Sequence, residues 1–332
     1  MGIVEGRERG LSSNKPSCAS AAGHGMSKAA SADAAAVTML EERMPGVALK
    51  NVPSSIACLV RDFAATGVAG FQQGWHERNG GNASYRLTDG EAAQVRDMPY
   101  GAAGDWVPLG IEVPTLGGSM FLVTAAGSYF QALEQTPERS LGIVELDDAG
   151  SAYRVRWGFA SGGRPTSEFA GHMLIHEARC EATDGAARAI YHGHPASVVA
   201  LSKVVPLEPR TLSRVIWKAM TEGIMVCPEG IGVVGCLVPG SLELARASAE
   251  QMRRFPAVVW ASHGLLASGE SLPDAFGRMH AIVKSADIYM CARMANGGND
   301  DFLNVVPDAT LRAIAASLGL QPNEGFLEGA DA

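Results

Sequence analysis

The sequence predicts an α/β fold in which a single domain holds a mixed β-sheet flanked by helices. Short apolar segments, typical of strands, alternate along the chain with longer segments whose apolar residues recur at helical spacing. The succession is not a regular β-α-β rhythm, because no full-length helix separates the strand candidates at 121–124 and 153–157. This irregularity favours a mixed sheet over a wholly parallel one, whose strands need long crossovers.

The first 45 residues differ from the rest of the chain in composition. They are rich in Ala and Ser, above all between Ala19 and Ala36, and they contain almost no large apolar side chains. Such a segment buries too little surface to offset the entropy lost on ordering. We therefore expect residues 1–45 to be a disordered extension, with an Ala-rich helix over Ser31–Glu42 as an alternative at its end. Residues 46–332 are expected to form the folded domain.

The predicted elements follow from spacing and from end signals. Apolar residues recur at helical spacing across 54–70, whereas Tyr153–Trp157 alternates as a half-exposed strand does. Thr166-Ser167-Glu168 opens a helix that carries His172. The remaining predictions are helices over 197–202, 210–222, 242–253 and 272–294, and strands over 121–124, 189–191, 224–227 and 258–260.

Composition argues against several classes of function. The 332 residues carry a formal net charge of −8, and phosphate backbones bind basic surfaces, so no nucleic-acid partner is expected. The chain contains no run of about 18 apolar residues, so no membrane span is expected. The six cysteines form no CxxC motif and suit reduced thiols, so we expect a cytoplasmic protein.

Two apolar segments end in histidines that could share a metal ion. The first ends in His192-Gly193-His194, and side chains two apart in a strand point to the same face. The second is followed by His263, and two strand ends can lie side by side. Three imidazoles leave one tetrahedral position open, which is typical of a catalytic rather than a structural zinc site. The plainer interpretation is a satisfied polar strand edge.

A second histidine pair competes for the metal. His172 and His176 are four residues apart in a predicted helix, which also puts two imidazoles on one face. No Glu follows His172, so the metalloprotease pattern is absent. The plainer interpretation of this pair is a half-buried helix face.

Three segments are candidates for binding a phosphate. The adjacent glycines of Asn79-Gly80-Gly81-Asn82 let the backbone approach a ligand, and the flanking Asn side chains offer amide donors. The segment 124–128 can cradle an anion with its N–H groups, and Thr166-Ser167 lies at a helix N-terminus, where the dipole favours negative charge. Taken alone, the Asn-Gly-Gly-Asn segment is more often a plain turn, and Thr-Ser before Glu is an ordinary helix cap.

These motifs together resemble the rhamnulose-1-phosphate aldolase branch of the class II aldolase and adducin-head superfamily. The resemblance includes the spacing between motifs and runs from about Ser54 to Gly298. The motifs are Gly74-Trp75-His76-Glu77-Arg78-Asn79-Gly80-Gly81-Asn82, Pro165-Thr166-Ser167-Glu168, His192-Gly193-His194 and His263-Gly264. The resemblance implies a central, mixed and largely antiparallel sheet between helix layers, a three-layer αβα architecture.

The resemblance also implies roles for individual residues. His192, His194 and His263 match the family's zinc ligands, and Glu168 matches its catalytic carboxylate. Glu222 matches a second carboxylate, which reaches the site of a neighbouring subunit in a homotetramer. The positions around the substrate phosphate are matched by Asn79, Gly81, Asn82, Gly127, Thr166 and Ser167.

The positions of Glu168 and Glu222 can also be interpreted from their predicted helices alone, without the resemblance. Glu168 in a first helical turn is favoured by the helix dipole alone. Glu222 falls at the predicted C-terminal end of its helix, where a carboxylate is mildly unfavourable, and a residue that breaks a local rule is a candidate for function. An exposed Glu without a function is the alternative for Glu222.

The reaction that the resemblance implies is the reversible cleavage of L-rhamnulose 1-phosphate to dihydroxyacetone phosphate and L-lactaldehyde, in rhamnose catabolism. A Zn²⁺ ion held by three neutral imidazoles keeps its full charge and can stabilise the enediolate as a Lewis acid. Glu168 would move the proton on and off the enediolate carbon. The phosphate loops would hold the non-reacting end of the ketose.

Two positions depart from the family pattern. Family members often have Gly-Ser-Gly where this chain has Ala125-Ala126-Gly127, so a hydroxyl on the phosphate side is missing. The backbone N–H groups remain, and Ser128 could compensate. His76 stands where an acidic residue is usual, and the sequence offers no explanation for it.

Alternative functions lie inside and outside the enzymes of this superfamily. Fuculose-1-phosphate aldolase, a pentulose-phosphate epimerase and a thiosugar-phosphate dehydratase are the enzymatic alternatives. The epimerases typically carry Asp at the position of Glu168, which argues against them. A non-catalytic adducin-like module is the last alternative, but such modules lose metal ligands that this chain keeps.

Overall fold

The computed structural model describes residues 49, 52–98, 104–160 and 162–328, and the structural statements below refer to these residues. The extension predicted over residues 1–45 lies outside them. No helix within these ranges is long and apolar enough to cross a membrane.

Strands and helices are interspersed along the chain. The strands are β1 (Asn82–Arg86), β2 (Val107–Pro108), β3 (Met120–Thr124), β4 (Leu141–Leu146), β5 (Ala152–Gly158), β6 (Ala189–Gly193), β7 (Gly232–Val234), β8 (Ala257–Trp260) and β9 (Gly264–Gly269). The α-helices are α1 (Ser54–Gln72), α2 (Asp89–Arg96), α3 (Pro137–Ser140), α4 (Phe169–Ala182), α5 (Ala196–Val204), α6 (Pro209–Ala219), α7 (Glu222–Val226), α8 (Leu242–Met252), α9 (Leu272–Ala295) and α10 (Asp308–Ser317). Short 3-10 helices lie at Pro114–Leu116, Phe130–Ala132 and Glu324–Phe326.

The nine strands form one sheet in the order β2-β5-β4-β3-β1-β6-β9-β8-β7. All neighbouring strands pair antiparallel except β7 and β8, which are parallel. The predicted fold class, a mixed and largely antiparallel sheet between helix layers, is therefore confirmed.

Strand β6 shows how the two faces of the sheet are covered. Ala189 and Tyr191 belong to the core formed with α1 and α9, whereas Ile190 packs in a second core with α4 and α8. Because successive side chains alternate between faces, His192 follows Ile190 onto the α4 side. The face on which a β6 residue lies therefore decides which helix layer it meets.

The segment after α6 differs from the prediction. The helix predicted over 210–222 ends at Ala219, and the strand predicted over 224–227 is wrong, because α7 occupies this position. A Cβ on Gly223 would lie 2.5 Å from the carbonyl oxygen of Ile216, so the chain folds back closely on α6 here. Ile224 then packs into a core cluster with Trp217. Tertiary packing therefore overrides the strand propensity of this apolar run.

Candidate active site

Three strand ends meet at one edge of the sheet. Strand β1 begins at Asn82, β3 ends at Thr124, and β6 ends at Gly193. Antiparallel pairing of β1 with both neighbours brings these ends together, since Asn82 pairs with His192 and Ser84 with Val123. Side chains that follow or begin these strands therefore share one region.

Three histidines converge at this edge. His192 lies in β6, His194 follows that strand, and His263 lies in the turn between β8 and β9. Their ligand atoms all lie within 4.8 Å of one another. Strands β6 and β8 are not neighbours, because β9 lies between them. The turn between β8 and β9 therefore brings His263 to the end of β6. Ser262 makes this turn tight with a left-handed φ of 64°.

The spacing of the ring nitrogens suits one metal ion. The Nε2 atoms of His192 and His194 are 3.2 Å apart. Two nitrogens bound at about 2.0–2.1 Å to one tetrahedral zinc ion lie roughly 3.3 Å from each other. The Nδ1 atom of His263 is buried and has no hydrogen-bond partner in the described ranges. The three histidines can therefore hold a metal, with a fourth position for solvent or substrate.

Burial keeps two of the three imidazoles, those of His192 and His263, neutral. It lowers the pKa of His192 well below its ordinary value, and the neighbouring His194 and His263 lower it further. Burial, followed by His194, lowers the pKa of His263 to about 4. Near neutral pH these two rings therefore keep the free lone pair that a metal ligand requires.

Outer hydrogen bonds orient two of the rings. The Nδ1–H of His192 donates to the carbonyl oxygen of Leu265 at 3.1 Å, which leaves Nε2 free for a ligand. The Nδ1 atom of His194 lies 2.6 Å from Oε1 of Glu77. Burial raises the pKa of Glu77, but its hydrogen bond with His194 and nearby groups lower it to a net value below the ordinary one. Carboxylates and carbonyls in these positions hold metal-binding imidazoles in orientation.

Glu77 is a site residue that sequence reasoning missed. It belongs to the Gly-rich motif, but it has no periodic relation to the histidines. Only the approach of the loop before β1 to the end of β6 brings it to His194.

Glu168 faces the same edge from the start of α4. It is the N-cap residue of that helix, but its side chain makes no capping hydrogen bond. Instead its Oε2 accepts a hydrogen bond from Nδ2 of Asn82 at 2.8 Å. Burial raises the pKa of Glu168, whereas Asn82 and His194 lower it less strongly. A carboxyl group with a raised pKa is suited to taking up and releasing a proton.

A cavity of about 210 Å³ adjoins this carboxylate. Its walls include Glu168, His172 and Trp260. The Trp260 ring lies 4.5 Å from the His192 ring and 5.0 Å from the His263 ring, measured between centroids. The cavity therefore extends from the carboxylate to a side chain that packs on the histidine group.

The Gly-rich loop lies against the histidines. Gly81 has a φ of 79°, and a Cβ there would lie 2.3 Å from Nδ1 of His76 and 2.7 Å from the carbonyl oxygen of His192, so the position requires glycine. Asn79 is exposed. The Asn82 side chain donates one amide hydrogen to Glu168 and its oxygen faces His172, so its second amide hydrogen has no partner in the described residues.

The other phosphate candidates lie in two adjoining loops, which a β-bridge between Ala125 and Pro165 joins. The Ala126 N–H donates to the carbonyl oxygen of Arg164, and both the N–H and the hydroxyl of Ser128 donate to Ala125. These groups are therefore not free to replace the missing hydroxyl. The N–H of Gly127 has no hydrogen-bond acceptor among the described residues. Thr166 is buried and Ser167 is exposed beside Glu168.

Comparison with known proteins identifies the family. Residues 61–290 match the family model described as "Class II Aldolase and Adducin N-terminal domain". The chain belongs to this family. A rhamnulose-1-phosphate aldolase of Listeria monocytogenes is 32% identical over 271 residues, which are 82% of this chain and 97% of that protein. A rhamnulose-1-phosphate aldolase of Yersinia pestis is 37% identical over 258 residues, 78% of this chain and 92% of that protein.

A solved structure agrees with the sequence relatives. The crystal structure of a sugar-phosphate aldolase from Thermotoga maritima matches with a TM-score of 0.61 at 25% identity, covering 74% of this chain and 98% of that one. The class II aldolase assignment therefore rests on both sequence and fold.

The unusual His76 has a structural explanation in this class II aldolase. Burial lowers its pKa to about 3, so the ring is neutral. It stacks on Phe130 at 3.7 Å between ring centroids and lies 2.7 Å from the hydroxyl of Tyr191 through Nε2. Its Nδ1 lies 3.1 Å from the carbonyl oxygen of Gly80. His76 therefore fastens the Gly-rich loop to the core.

Glu222 forms no hydrogen bond or ion pair with these groups in the described residues. It is the exposed first residue of α7, and its Oε2 accepts a hydrogen bond from Thr221 at 2.9 Å. The predicted position at a helix C-terminus is wrong, and with it the argument that the carboxylate breaks a local rule. A carboxylate in a first helical turn is favoured by the dipole.

The competing pair on α4 does not join the histidine group. His172 and His176 are both buried, and the Ser84 hydroxyl lies between their rings. In the described part of the chain, the one group of three potential ligands consists of His192, His194 and His263.

Proposed function

We propose that this protein is a zinc-dependent aldolase that cleaves L-rhamnulose 1-phosphate reversibly to dihydroxyacetone phosphate and L-lactaldehyde. Two relatives that are 32% and 37% identical over about four fifths of the chain carry the name rhamnulose-1-phosphate aldolase. Family membership and the fold support a carbon–carbon lyase that acts on a sugar phosphate.

One observation carries the proposal: three histidines at metal-ligand spacing share a sheet edge with a half-buried carboxylate, that of Glu168. A Zn²⁺ ion bound by His192, His194 and His263 would supply a Lewis acid that draws negative charge toward a substrate carbonyl oxygen. Cleavage between C3 and C4 of the ketose leaves the electron pair on C3 of the dihydroxyacetone phosphate half. A stabilised charge on that half lowers the barrier to cleavage.

Glu168 would handle the proton at this carbon. In cleavage its carboxyl group gives a proton to C3 while the C4 hydroxyl loses its proton to solvent, and in condensation its carboxylate removes the C3 proton and the new C4 oxygen takes one from solvent. Asn82 holds the carboxylate from one side through its amide N–H. The loops that contain Gly81, Gly127 and Thr166-Ser167 would bind the phosphate, so that binding energy at the non-reacting end positions the reacting carbons.

Assembly and location complete the proposal. Glu222 is exposed and its hydrogen-bond partner is its neighbour Thr221, so its carboxylate is available to the site of a neighbouring subunit in the proposed homotetramer. The five cysteines in the described ranges form no disulfide with one another, which is in keeping with a reducing cytoplasm.

Substrate choice is the direct test. Purified zinc-loaded protein should release dihydroxyacetone phosphate faster from L-rhamnulose 1-phosphate than from L-fuculose 1-phosphate, and should release none from ribulose 5-phosphate. A coupling enzyme reduces the dihydroxyacetone phosphate with NADH, and the fall in NADH absorbance gives kcat/KM for each substrate. A higher kcat/KM for fuculose 1-phosphate would move the assignment to that aldolase, and epimerisation of ribulose 5-phosphate would contradict aldol cleavage.

Replacing Glu77 should weaken metal binding without removing a ligand. Glu77→Ala deletes the partner of His194 Nδ1, and the loss of such an outer partner lowers metal affinity by roughly 10-fold to 100-fold. Competition with a chelator of known zinc affinity measures the change. Glu134→Ala is a matched control, because that carboxylate is partly exposed and lies outside the histidine group. An unchanged affinity in Glu77→Ala would show that the hydrogen bond does not support the metal.

A further inference from the structure

A network of buried hydrogen bonds runs behind Glu168. The Ser84 hydroxyl lies 2.6 Å from Nδ1 of His172 and 2.8 Å from Nε2 of His176. The Nε2 of His172 hydrogen-bonds Oδ1 of Asn82, whose Nδ2 donates to Glu168 at 2.8 Å. Both imidazoles are 1% exposed, and neither takes part in the histidine group at the metal centre. We call these five residues the Asn82 network.

The network follows from matched repeats on two packed elements. Glu168, His172 and His176 are spaced by four residues, which advance about 6.0 Å along a helix. Asn82 and Ser84 lie two apart on one face of β1, and two residues advance about 6.6 Å along a strand. Because the two steps are nearly equal, each of these three side chains meets one from the strand.

The chemistry of the groups fixes the direction of each hydrogen bond. The amide N–H of Asn82 must face the Glu168 carboxylate, because a flipped amide would oppose two acceptors. Its Oδ1 therefore faces His172, so Nε2 of that ring carries the proton. Nδ1 of His172 then accepts from the Ser84 hydroxyl, and Ser84 accepts from Nε2–H of His176. Within the network every one of these atoms has a single role.

We propose that His172 is a positioning residue for the aldol reaction: it locks the Asn82 amide, and Asn82 in turn locks the Glu168 carboxylate against the reacting carbon. Ser84 fixes the orientation of the His172 ring by accepting a hydrogen bond from His176 and donating one to His172. The proposal rests on the proposed function of Glu168. A reacting group displaced by about 1 Å loses roughly 100-fold in rate, so a second layer that fixes a catalytic carboxylate has a large effect.

The test compares three variants of the full-length protein. His172→Phe keeps an aromatic ring but removes both nitrogens, and kcat should fall roughly 100-fold with zinc content close to wild type. His172→Gln presents an amide N–H at about the reach of Nε2 and should recover most of kcat. His176→Phe is the matched control, because it is equally buried one helical turn away but does not touch Asn82, and it should lose less activity than His172→Phe.

The pattern of these losses decides the proposal. Equal losses of kcat in His172→Phe and His176→Phe, with equal losses of melting temperature, would indicate general destabilisation and overturn it. A His172→Gln variant as slow as His172→Phe would also overturn it.

A measurement on the wild-type protein needs neither activity nor a folded variant. ¹⁵N NMR of the histidine rings should show His172 neutral with a slowly exchanging proton on Nε2. A proton on Nδ1 would overturn the network whatever the variants do. If wild-type protein cleaves no ketose phosphate, the proposed function fails, whereas the NMR result still decides the Asn82 network.

Discussion

Replacing His192 by alanine is expected to abolish both zinc binding and aldol cleavage while the protein stays folded. His192 is the most buried of the three histidines and the one whose Nε2 lies 3.2 Å from that of His194. Without it two imidazoles remain, too few for a tight zinc site. Metal analysis after dialysis should find about one zinc ion per subunit in the wild type and a small fraction of that in the variant. Circular dichroism checks the fold.

The competing histidine pair provides the decisive control. A His172→Phe, His176→Phe double variant should keep its zinc, because neither ring belongs to the histidine group. If zinc persists in the triple alanine variant of His192, His194 and His263, the metal assignment fails. Loss of zinc only when the α4 pair is replaced would move the site to that pair.

The second large effect concerns the two carboxylates. Glu168→Gln should lower kcat by roughly 100-fold to 10,000-fold, because an amide cannot exchange the proton that a general acid–base must transfer. Glu222→Ala should be nearly inactive for a different reason, since the proposal places that carboxylate at a neighbouring subunit's site. The two variants should therefore complement each other when mixed.

Mixing tests the shared site directly. The two inactive variants are unfolded and refolded together, and formation of mixed tetramers is confirmed by native mass spectrometry. In a mixed tetramer, a site with Glu168 from one chain and Glu222 from the other has both carboxylates, so activity returns in part. If both residues act within one chain, every site keeps one defect, and mixed tetramers without activity would refute the proposal.

Local rules predicted the elements whose spacing is regular. The helices α1, α8 and α9 and the strands β3, β5 and β6 were predicted with their ends close to the observed ones. Strand β1 was missed, although Asn82–Arg86 alternates polar and apolar residues, because it is short and follows the Gly-rich motif directly. The strand predicted over 224–227 was wrong, because apolar residues fit a strand or a short packed helix equally well, and contact with Trp217 favours the helix.

Strand periodicity alone predicts that His192 and His194 point to one face, because the period of a strand is a local property of the backbone. Helix periodicity places His172 and His176 on one helix face for the same kind of reason. Local periodicity does not decide which of the two pairs gains a third ligand. The turn after β8 brings His263 to His192 and His194, whereas the Ser84 hydroxyl of β1 lies between the rings of His172 and His176. Likewise, the contacts of Glu168 with Asn82 and of Glu77 with His194 join residues 86 and 117 positions apart. Such contacts depend on strand order, register and burial, which arise only when the whole sheet is packed between its helices.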